Sequence, residues 1–348
     1  MKVYSPLEIV KRYATLKSNR IYSMPIVILM PHSRCNCRCV MCDIWKGNNN
    51  VQQLNETDIE QLLSSLKKLK TRLVVMSGGE ALMHPNFFRL CDILSSRKIK
   101  ITILSTGLLL KKYAEQIVVK TDEVIVSLDG SQEVHDKIRN IPEAFNKLND
   151  GVTELKILNK AYRVTARCVV QKANFYDLPN IIDAAHEIGL DQVSFLNADV
   201  STDAFNRVDL WEDDKVEEVR LSRDEVDQFK EIIENLVTTH FKDFKSGFIA
   251  ESPEKLRKFY NYYAAFHGLC DFPSVHCNAP WVSAVIEADG SVRPCFFHAK
   301  IGNIRDSTLT ELINSPESIS FRKTLDTTTN PICKKCVCSL KLSPLVKL

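Results

Sequence analysis

The sequence predicts an α/β protein with a parallel sheet, and two observations lead to that class. Short apolar runs rich in β-branched residues recur six times, at 27–30, 73–76, 101–104, 124–128, 164–170 and 192–196. The stretches between them repeat apolar residues every three or four positions, as amphipathic helices do. Strands that alternate with helices are typical of parallel sheets. Six such units are too few for a closed eight-stranded barrel.

The pattern then divides the chain into three parts. Helical periodicity is clearest at 56–69, 86–96 and 178–189, between the predicted strands. After about residue 197 the strand signal gives way to charged, helical sequence at 221–241 and 255–268. The last 70 or so residues contain cysteines among short strands and turns. We therefore expect a barrel domain over 1–200, a helical linking region over 201–270 and a small domain over 271–348.

Composition excludes several classes of function. The chain has 348 residues, 45% of them hydrophobic, and 46 basic against 43 acidic side chains. A net charge of +3 with interspersed signs gives no basic surface for nucleic acid. No apolar run reaches the roughly 18 residues of a membrane span, and the N-terminus lacks an export signal. We expect a cytoplasmic protein whose twelve cysteines stay reduced, so clustered cysteines indicate metal ligands.

The first cysteine cluster follows the first predicted strand. Cys35, Cys39 and Cys42 have the spacing C-x-x-x-C-x-x-C. Three thiolates on one loop can hold three irons of a cubane [4Fe–4S] cluster and leave the fourth iron open. A zinc site is the alternative, although zinc loops usually pair C-x-x-C units and close a shell of four ligands. Cys37 lies between the ligands and is expected to be a spectator thiol.

Further motifs follow the next three strands, where ligands of parallel α/β sheets bind. Ser77-Gly78-Gly79-Glu80 follows the second strand, and Ser105-Thr106-Gly107 follows the third. The fourth strand runs into VSLDGSQEVHDKIRN, residues 126–140. Taken alone, the glycines suit an ordinary strand-to-helix turn, and Asp129 and His135 suit turn or capping positions.

These elements, in this order, resemble the radical S-adenosylmethionine (SAM) superfamily over nearly the whole chain. The resemblance implies a partial (β/α)6 TIM-like barrel in which the three cysteines hold a [4Fe–4S] cluster and SAM chelates its open iron. Glu80 would receive the SAM ammonium, Ser127 the ribose and Arg139 the carboxylate. The implied SAM-binding residues are Met41, Gly78, Gly79, Glu80, Ser105, Ser127 and Arg139. Two departures from the family pattern are Ser105-Thr106-Gly107, in place of Thr-Asn-Gly, and Met41, in place of an aromatic residue.

A second cysteine cluster lies in the C-terminal domain. Cys277 is followed by Gly290-x-x-x-x-Cys295 and by Cys333-x-x-Cys336-x-Cys338. This spacing resembles the twitch and SPASM domains of the same superfamily, which implies one auxiliary [4Fe–4S] cluster on Cys277, Cys295, Cys333 and Cys336. Cys338 is an alternative to Cys333 or Cys336, and Cys270 is a more distant candidate. Four cysteines also satisfy a structural zinc ribbon.

The resemblance implies reductive cleavage of SAM to a 5′-deoxyadenosyl radical, which abstracts a hydrogen atom from the substrate. We expect a small-molecule substrate, such as a sugar, nucleoside or amino-acid derivative, because only about 25 residues precede the first strand. The auxiliary cluster would then accept an electron and make the net reaction an oxidation; decarboxylation and epimerisation stay open. An external reductant of the flavodoxin or ferredoxin type would supply the initiating electron. The alternatives are a peptide-modifying maturase and a non-catalytic iron–sulfur or zinc scaffold. Gln171, Asn197, Tyr262 and Tyr263 are candidate substrate contacts.

Overall fold

The computed structural model describes residues 5–207 and 209–346. Six parallel strands form the barrel sheet: β1 (Ile26–Leu29), β2 (Leu73–Met76), β3 (Lys100–Ser105), β4 (Glu123–Ser127), β5 (Arg163–Val170) and β6 (Gln192–Asn197). Each pairs with the next in chain order, and Val193 of β6 forms an isolated parallel bridge with Ile249. The sheet is therefore open, as six units require, and the predicted α/β class is confirmed.

Helices cover the outer face of this sheet. α1 (Pro6–Ser18) precedes β1 and packs through Leu16 against residues of the opposite face, such as Ile26 and Val75. In chain order the helices on the outer face are α2 (Glu56–Lys68), α3 (Phe87–Ser95), α4 (Leu110–Lys120), α5 (Gln132–Arg139), α6 (Ala144–Leu158) and α7 (Leu178–Ile188). Caps fix their ends: Asn55 and Asp58 form a capping box at the start of α2, and Gly189 takes the left-handed conformation after α7. The apolar stripes of these helices pack on alternate strand residues such as Val74, Ile101 and Val124 to form the main core.

The linking region is helical, as the sequence predicts. It contains α8 (Asp213–Val219), α9 (Arg223–Thr239), α10 (Phe241–Ser246) and α11 (Pro253–Phe266). The core residues Phe229 on α9 and Tyr263 on α11 join these two helices to the barrel core. Short 3-10 helices at Ile44–Asn49, Ala81–Met83 and Phe175–Asp177 complete the barrel loops. No helix in the described part of the chain is long and apolar enough to cross a membrane.

The C-terminal region continues the barrel sheet. It contains α12 (Ala279–Val282), β7 (Ser283–Ile286), β8 (Ser291–Arg293), β9 (Gly302–Asn303), α13 (Leu309–Leu312), α14 (Pro316–Thr324) and α15 (Pro331–Lys334). β7 pairs in parallel with β1, and β8 and β9 follow it antiparallel. The nine strands therefore form one sheet in the order β6-β5-β4-β3-β2-β1-β7-β8-β9. This pairing holds the second cysteine cluster beside the first strand of the barrel.

Candidate functional site

The loop after β1 brings its three cysteines to the carboxyl ends of the strands. Cys35, Cys39 and Cys42 all line one cavity of about 210 Å³. Six of the seven residues predicted to bind SAM line the same cavity: Met41, Gly78, Gly79, Ser105, Ser127 and Arg139. Parallel strands end at one edge of a sheet, so motifs far apart in sequence meet there.

Close packing explains why two glycines follow β2. A Cβ on Gly79 would lie 2.1 Å from the backbone oxygen of Arg34, in the cluster loop. The Glu80 N–H donates to that same oxygen at 2.8 Å, and Gly78 adopts a φ of 111°. Only glycine allows this approach of backbone to backbone. The Gly-Gly turn therefore sets the height of the cysteine loop above the sheet.

Asn48 fixes the first cysteine from the other side. Its side-chain oxygen accepts from the Cys35 N–H at 3.0 Å, and its side-chain nitrogen donates to the Cys35 carbonyl at 2.9 Å. No motif in the sequence predicted this contact. An asparagine in a polar loop gives no signal of its own, since the contact depends on the fold.

Glu80 is buried behind the cavity wall instead of lining it. Its carboxylate accepts hydrogen bonds from Ser105 Oγ at 3.1 Å, from the Thr106 N–H and Oγ1 at 2.7 Å, and from the Leu82 N–H at 3.2 Å. Burial raises the pKa of Glu80, and the bonds from Thr106 oppose that shift. Glu80 thus ties the end of β2 to the end of β3, and its contact with the SAM ammonium stays a prediction.

Arg139 connects the cluster loop to the end of β4. Its guanidinium pairs with Asp129, which is fully buried and also accepts from the Val169 N–H at 2.8 Å. Arg139 Nη1 lies 3.5 Å from Cys39 Sγ, while Nε is buried without a partner among the described residues. Arg139 lines the cavity and keeps one donor without a partner, which fits the predicted bond to the SAM carboxylate.

Two of the cluster thiols, Cys39 and Cys42, lie in different electrostatic surroundings. A hydrogen bond from Cys37 and the charge of Arg139 lower the pKa of Cys39 to about 6, against the effect of burial. Burial raises the pKa of Cys42 to about 12. Cys37 is buried and lies outside the cavity lining, which agrees with its predicted role as a spectator.

The loop after β6 holds the cluster loop in place, and the sequence analysis missed it. The Trp211 indole donates to the Asp43 carboxylate at 2.9 Å, one residue after Cys42. Arg207 stacks on the Trp211 ring at 3.7 Å and pairs with buried Asp199 at 2.7 Å. The Trp211–Asp43 bond joins residues 168 positions apart in the chain, so no local sequence pattern indicates it.

The second cysteine cluster lines a cavity of about 270 Å³. All five candidate thiols face it: Cys277, Cys295, Cys333, Cys336 and Cys338. The backbone N–H groups of Ala279 and Leu340 donate to Cys277 Sγ at 3.4 and 3.5 Å, and His298 Nε2 lies 3.3 Å from Cys333 Sγ. Cys270 is exposed and outside this cavity. Four thiols suffice for one cluster, so the choice among Cys333, Cys336 and Cys338 stays open.

The two cavities share part of their walls. Arg167, Leu196 and Val337 line both. A third cavity of about 370 Å³ shares Gly78, Gly79 and Phe205 with the first and Phe296 with the second. The rings of Phe205 and Phe296 stack with 6.4 Å between their centroids. One lumen therefore runs between the two groups of cysteines, with this aromatic pair on its wall.

The four candidate substrate contacts separate into two groups. Asn197 lines the first cavity, and its side-chain oxygen is buried without a partner in the described part of the chain. Tyr262 lines an adjoining cavity of about 220 Å³, which Asn197 also lines. Tyr263 is core, because its hydroxyl donates to the Val170 carbonyl at 2.6 Å. Gln171 is fully buried and lines none of the three cavities.

Comparison with known proteins identifies both parts of the molecule. Residues 29–185 match the radical SAM superfamily, and residues 277–337 match the SPASM iron–sulfur cluster-binding domain. The Fe-coproporphyrin III synthase of Methanosarcina barkeri is 25% identical over 83% of this chain and 73% of its own length. The subtilosin biosynthesis protein AlbA of Bacillus subtilis is 24% identical over 81% of this chain and 58% of its own.

Two further proteins cover most of the chain. The cysteine-type anaerobic sulfatase-maturating enzyme of Clostridium novyi is 26% identical over 90% of this chain and 85% of its own length. Streptococcus suis SuiB, solved bound to the precursor peptide SuiA, superposes with a TM-score of 0.64 and 16% identity over 99% of this chain and 80% of that structure. This structural likeness confirms the fold.

These matches, together with the convergence of the cysteines, establish the cofactors as SAM, a SAM-binding [4Fe–4S] cluster and auxiliary iron–sulfur. The donor set fits them, since three thiols and bare glycine backbone line one cavity together with Arg139, whose buried Nε has no partner among the described residues. The chain therefore contains a radical SAM domain, followed by an iron–sulfur SPASM domain in its C-terminal region.

Proposed function

We propose that this protein oxidises an organic substrate bound in the lumen between its two groups of cysteines. The observation that carries the proposal is the shared wall: Arg167, Leu196 and Val337 face both cavities. A substrate in contact with this wall would lie between the site where a radical is made and an electron acceptor. That arrangement favours removal of a hydrogen atom followed by loss of an electron.

The chain's own residues orient the reactants. Cys35, Cys39 and Cys42 would hold the first cluster, and Cys277, Cys295, Cys333 and Cys336 the auxiliary one. When bound, the first cluster and SAM supply the 5′-deoxyadenosyl radical. Gly78 and Gly79 would allow close approach of SAM, Arg139 Nε would donate to its carboxylate, and Ser127 to its ribose. Met41, Ser105 and Glu80 would complete the SAM pocket.

A small-molecule substrate is our first candidate. The lumen is divided into cavities of 210 to 370 Å³, and ligand pockets of this order hold compact molecules. The relative from Methanosarcina barkeri is named as a synthase of Fe-coproporphyrin III. An external one-electron reductant of the flavodoxin or ferredoxin type would start each turnover.

Peptide modification is the second candidate, favoured by the names of other relatives. AlbA serves subtilosin biosynthesis, and the Clostridium novyi enzyme matures a sulfatase. Mixing the reconstituted protein with the low-molecular-mass fraction and, separately, the peptide fraction of an extract from its own organism distinguishes the two. The fraction that raises 5′-deoxyadenosine above the level without substrate contains the substrate class.

A non-catalytic scaffold predicts no SAM cleavage at all. Anaerobically reconstituted protein, reduced with dithionite and supplied with SAM, is expected to release 5′-deoxyadenosine and methionine. Chromatography of the quenched reaction measures both. Protein with full iron content that yields neither product would contradict the enzymatic function.

Iron content tests the two-site assignment. Replacing Cys35, Cys39 and Cys42 together by Ala should lower bound iron from about eight atoms to about four per chain, because each site would hold one [4Fe–4S] cluster. A matched variant with Cys91 and Cys168 replaced by Ala removes two buried thiols that lie outside both sites and should keep about eight. Loss of all iron from the triple variant would contradict two independent sites.

A further inference from the structure

Arg167 places a positive charge inside the lumen. Side chains alternate along a strand, and β5 directs Ala166 and Cys168 into the core. Arg167 is on the opposite face and is exposed, although its strand is paired on both sides, with β4 and with β6. Its exposure is therefore to the lumen, where it lines both the SAM cavity and the auxiliary cavity.

This guanidinium has no carboxylate partner in residues 5–207 and 209–346. Its one hydrogen bond is weak, from Nε to Ser194 Oγ at 3.4 Å. The carboxylates that line the same two cavities are occupied elsewhere: Asp199 pairs with Arg207, and Glu251 pairs with Lys255 and accepts from the Phe195 N–H. The donors of Arg167 are thus available to a ligand.

Arg163 gives an internal comparison on the same strand. It lies four residues earlier on the same face and is also exposed. There the guanidinium bonds Glu123 at 2.9 Å and Gln192 at 3.0 Å, so neighbouring strands satisfy it. For Arg163 the protein supplies side-chain oxygen partners on the neighbouring strands, Glu123 and Gln192, whereas Arg167 has only the weak bond to Ser194. Of the two arginines, only Arg167 lines the lumen.

We propose that Arg167 binds an oxyanion of the substrate, a carboxylate or a phosphate, and so fixes the substrate between SAM and the auxiliary site. This inference rests on the proposed function, because it takes the lumen as the substrate site. The planar guanidinium fork suits bidentate binding of either oxyanion. Because Arg167 lines both cavities, a substrate bound to it can extend into either one. The substrate class is therefore an anionic molecule.

A rival assignment gives Arg167 to the SAM carboxylate. Arg139 has its Nη groups on Asp129 and Cys39 but keeps Nε free. That free donor is enough for one carboxylate oxygen, which leaves Arg167 for the substrate. If Arg167 binds the SAM carboxylate, SAM alone protects it from chemical modification. If it binds the substrate, an added oxyanion protects it.

The experiment uses the anaerobically reconstituted holoenzyme and phenylglyoxal, which reacts with accessible arginine. Peptide mass spectrometry follows the adducts at Arg167 and Arg163 without ligand, with saturating SAM, and with SAM plus inorganic phosphate or acetate. We expect Arg167 to react with SAM bound, and one of the two anions to slow its reaction at least threefold. Arg163 should react equally in all samples. Phosphate protection identifies a phosphorylated substrate, and acetate protection a carboxylate.

Two results would overturn the proposal. Complete protection of Arg167 by SAM alone would assign it to the cofactor, as would a tenfold rise in the SAM dissociation constant of R167Q. Failure of both anions to protect Arg167 would show that it binds no oxyanion. R167K, which keeps the charge without the fork, should lose most of the anion binding, whereas R163Q should keep it. Absence of 5′-deoxyadenosine in the wild type would instead refute the proposed function. The protection of Arg167 by anions is measured independently of SAM cleavage, so the two failures are distinguishable.

Discussion

Glu80 has a structural role besides the contact with SAM that the resemblance predicts for it. The sequence assigns it to the SAM ammonium by resemblance, whereas its carboxylate accepts four distinct donors from the ends of β2 and β3. Buried acceptors that lose their partners are costly. The carboxylate therefore has a structural role at the strand ends, which a motif read from sequence does not reveal.

Replacing Glu80 by Gln should lower the free energy of unfolding by about 1–3 kcal/mol, because an NH₂ group would face donors such as the Thr106 N–H. Denaturant unfolding of the purified chain measures the change. Glu60→Gln, at an exposed position on α2, is the matched control and should be neutral. Equal stability of both variants would contradict the structural role of Glu80.

His135 makes stability depend on pH. Burial and the charge of Arg139 lower its pKa to about 3, so the folded chain keeps this ring neutral. The unfolded chain binds a proton near pH 6.5, and stability from this group is therefore lost as pH falls below that value. Between pH 7.5 and 5.5 the loss should be about 1.4 kcal/mol.

His135→Asn removes the titrating ring and keeps an acceptor for the Asp129 N–H, which now donates to Nδ1 at 3.1 Å. The difference in unfolding free energy between the two pH values should shrink by that amount in the variant. Thermal or denaturant unfolding at both pH values checks it. An unchanged pH dependence in the variant would contradict the prediction, because it would show that His135 binds protons equally in the folded and unfolded chains.

At the scale of elements, the Gly-Gly turn and the cysteine loop act as one unit. Gly79→Ala would place a methyl group 2.1 Å from the Arg34 carbonyl oxygen, so the cysteine loop must move. We expect the variant to bind roughly four irons in place of eight after reconstitution, through loss of the first cluster. Gly47→Ala is the control, because its methyl would meet only the flexible end of the Asn206 side chain at 3.0 Å. Normal iron content in Gly79→Ala would contradict this coupling.

Sequence reasoning located the elements better than the contacts between them. All six predicted barrel strands are present, and the helices expected at 56–69 and 178–189 end within one residue of those limits, because periodicity is a local property. The clamp of Asn48 on Cys35 and the Trp211–Asp43 bond were not predicted. Such contacts depend on which loops meet above the sheet, and that follows only from the assembled fold.

All nine strands of the described chain belong to one sheet, although the two groups of cysteines lie in different regions of the sequence. β1 lies between β2 and β7, so the C-terminal region covers what would otherwise be an open edge of the barrel. Arg305, near β9, pairs with Asp58 of α2 at 2.9 Å and adds a second connection. The spacing of cysteines predicted a second domain, but it carried no information on how that domain joins the first.

A fragment of residues 1–270 should therefore aggregate, because unpaired strand edges template association. Size-exclusion chromatography against the full chain measures this. The full chain with Cys277, Cys295, Cys333 and Cys336 replaced by Ala is the control: it lacks auxiliary ligands and keeps β7. We expect the elution volume of that control to be closer to the elution volume of the full chain than the fragment's elution volume is. A monomeric fragment with unchanged thermal unfolding would refute the prediction.

β1 is synthesised long before β7, a strand with which it pairs. Ile26 pairs with Ser283, so its partner leaves the ribosome more than 250 residues later. At about 5–20 residues per second, that delay is on the order of tens of seconds. During this interval the loop of Cys35, Cys39 and Cys42 emerges on a nascent chain whose sheet is incomplete. Its thiols are then open to iron delivery and to oxygen alike, before the C-terminal strand completes the sheet beside them.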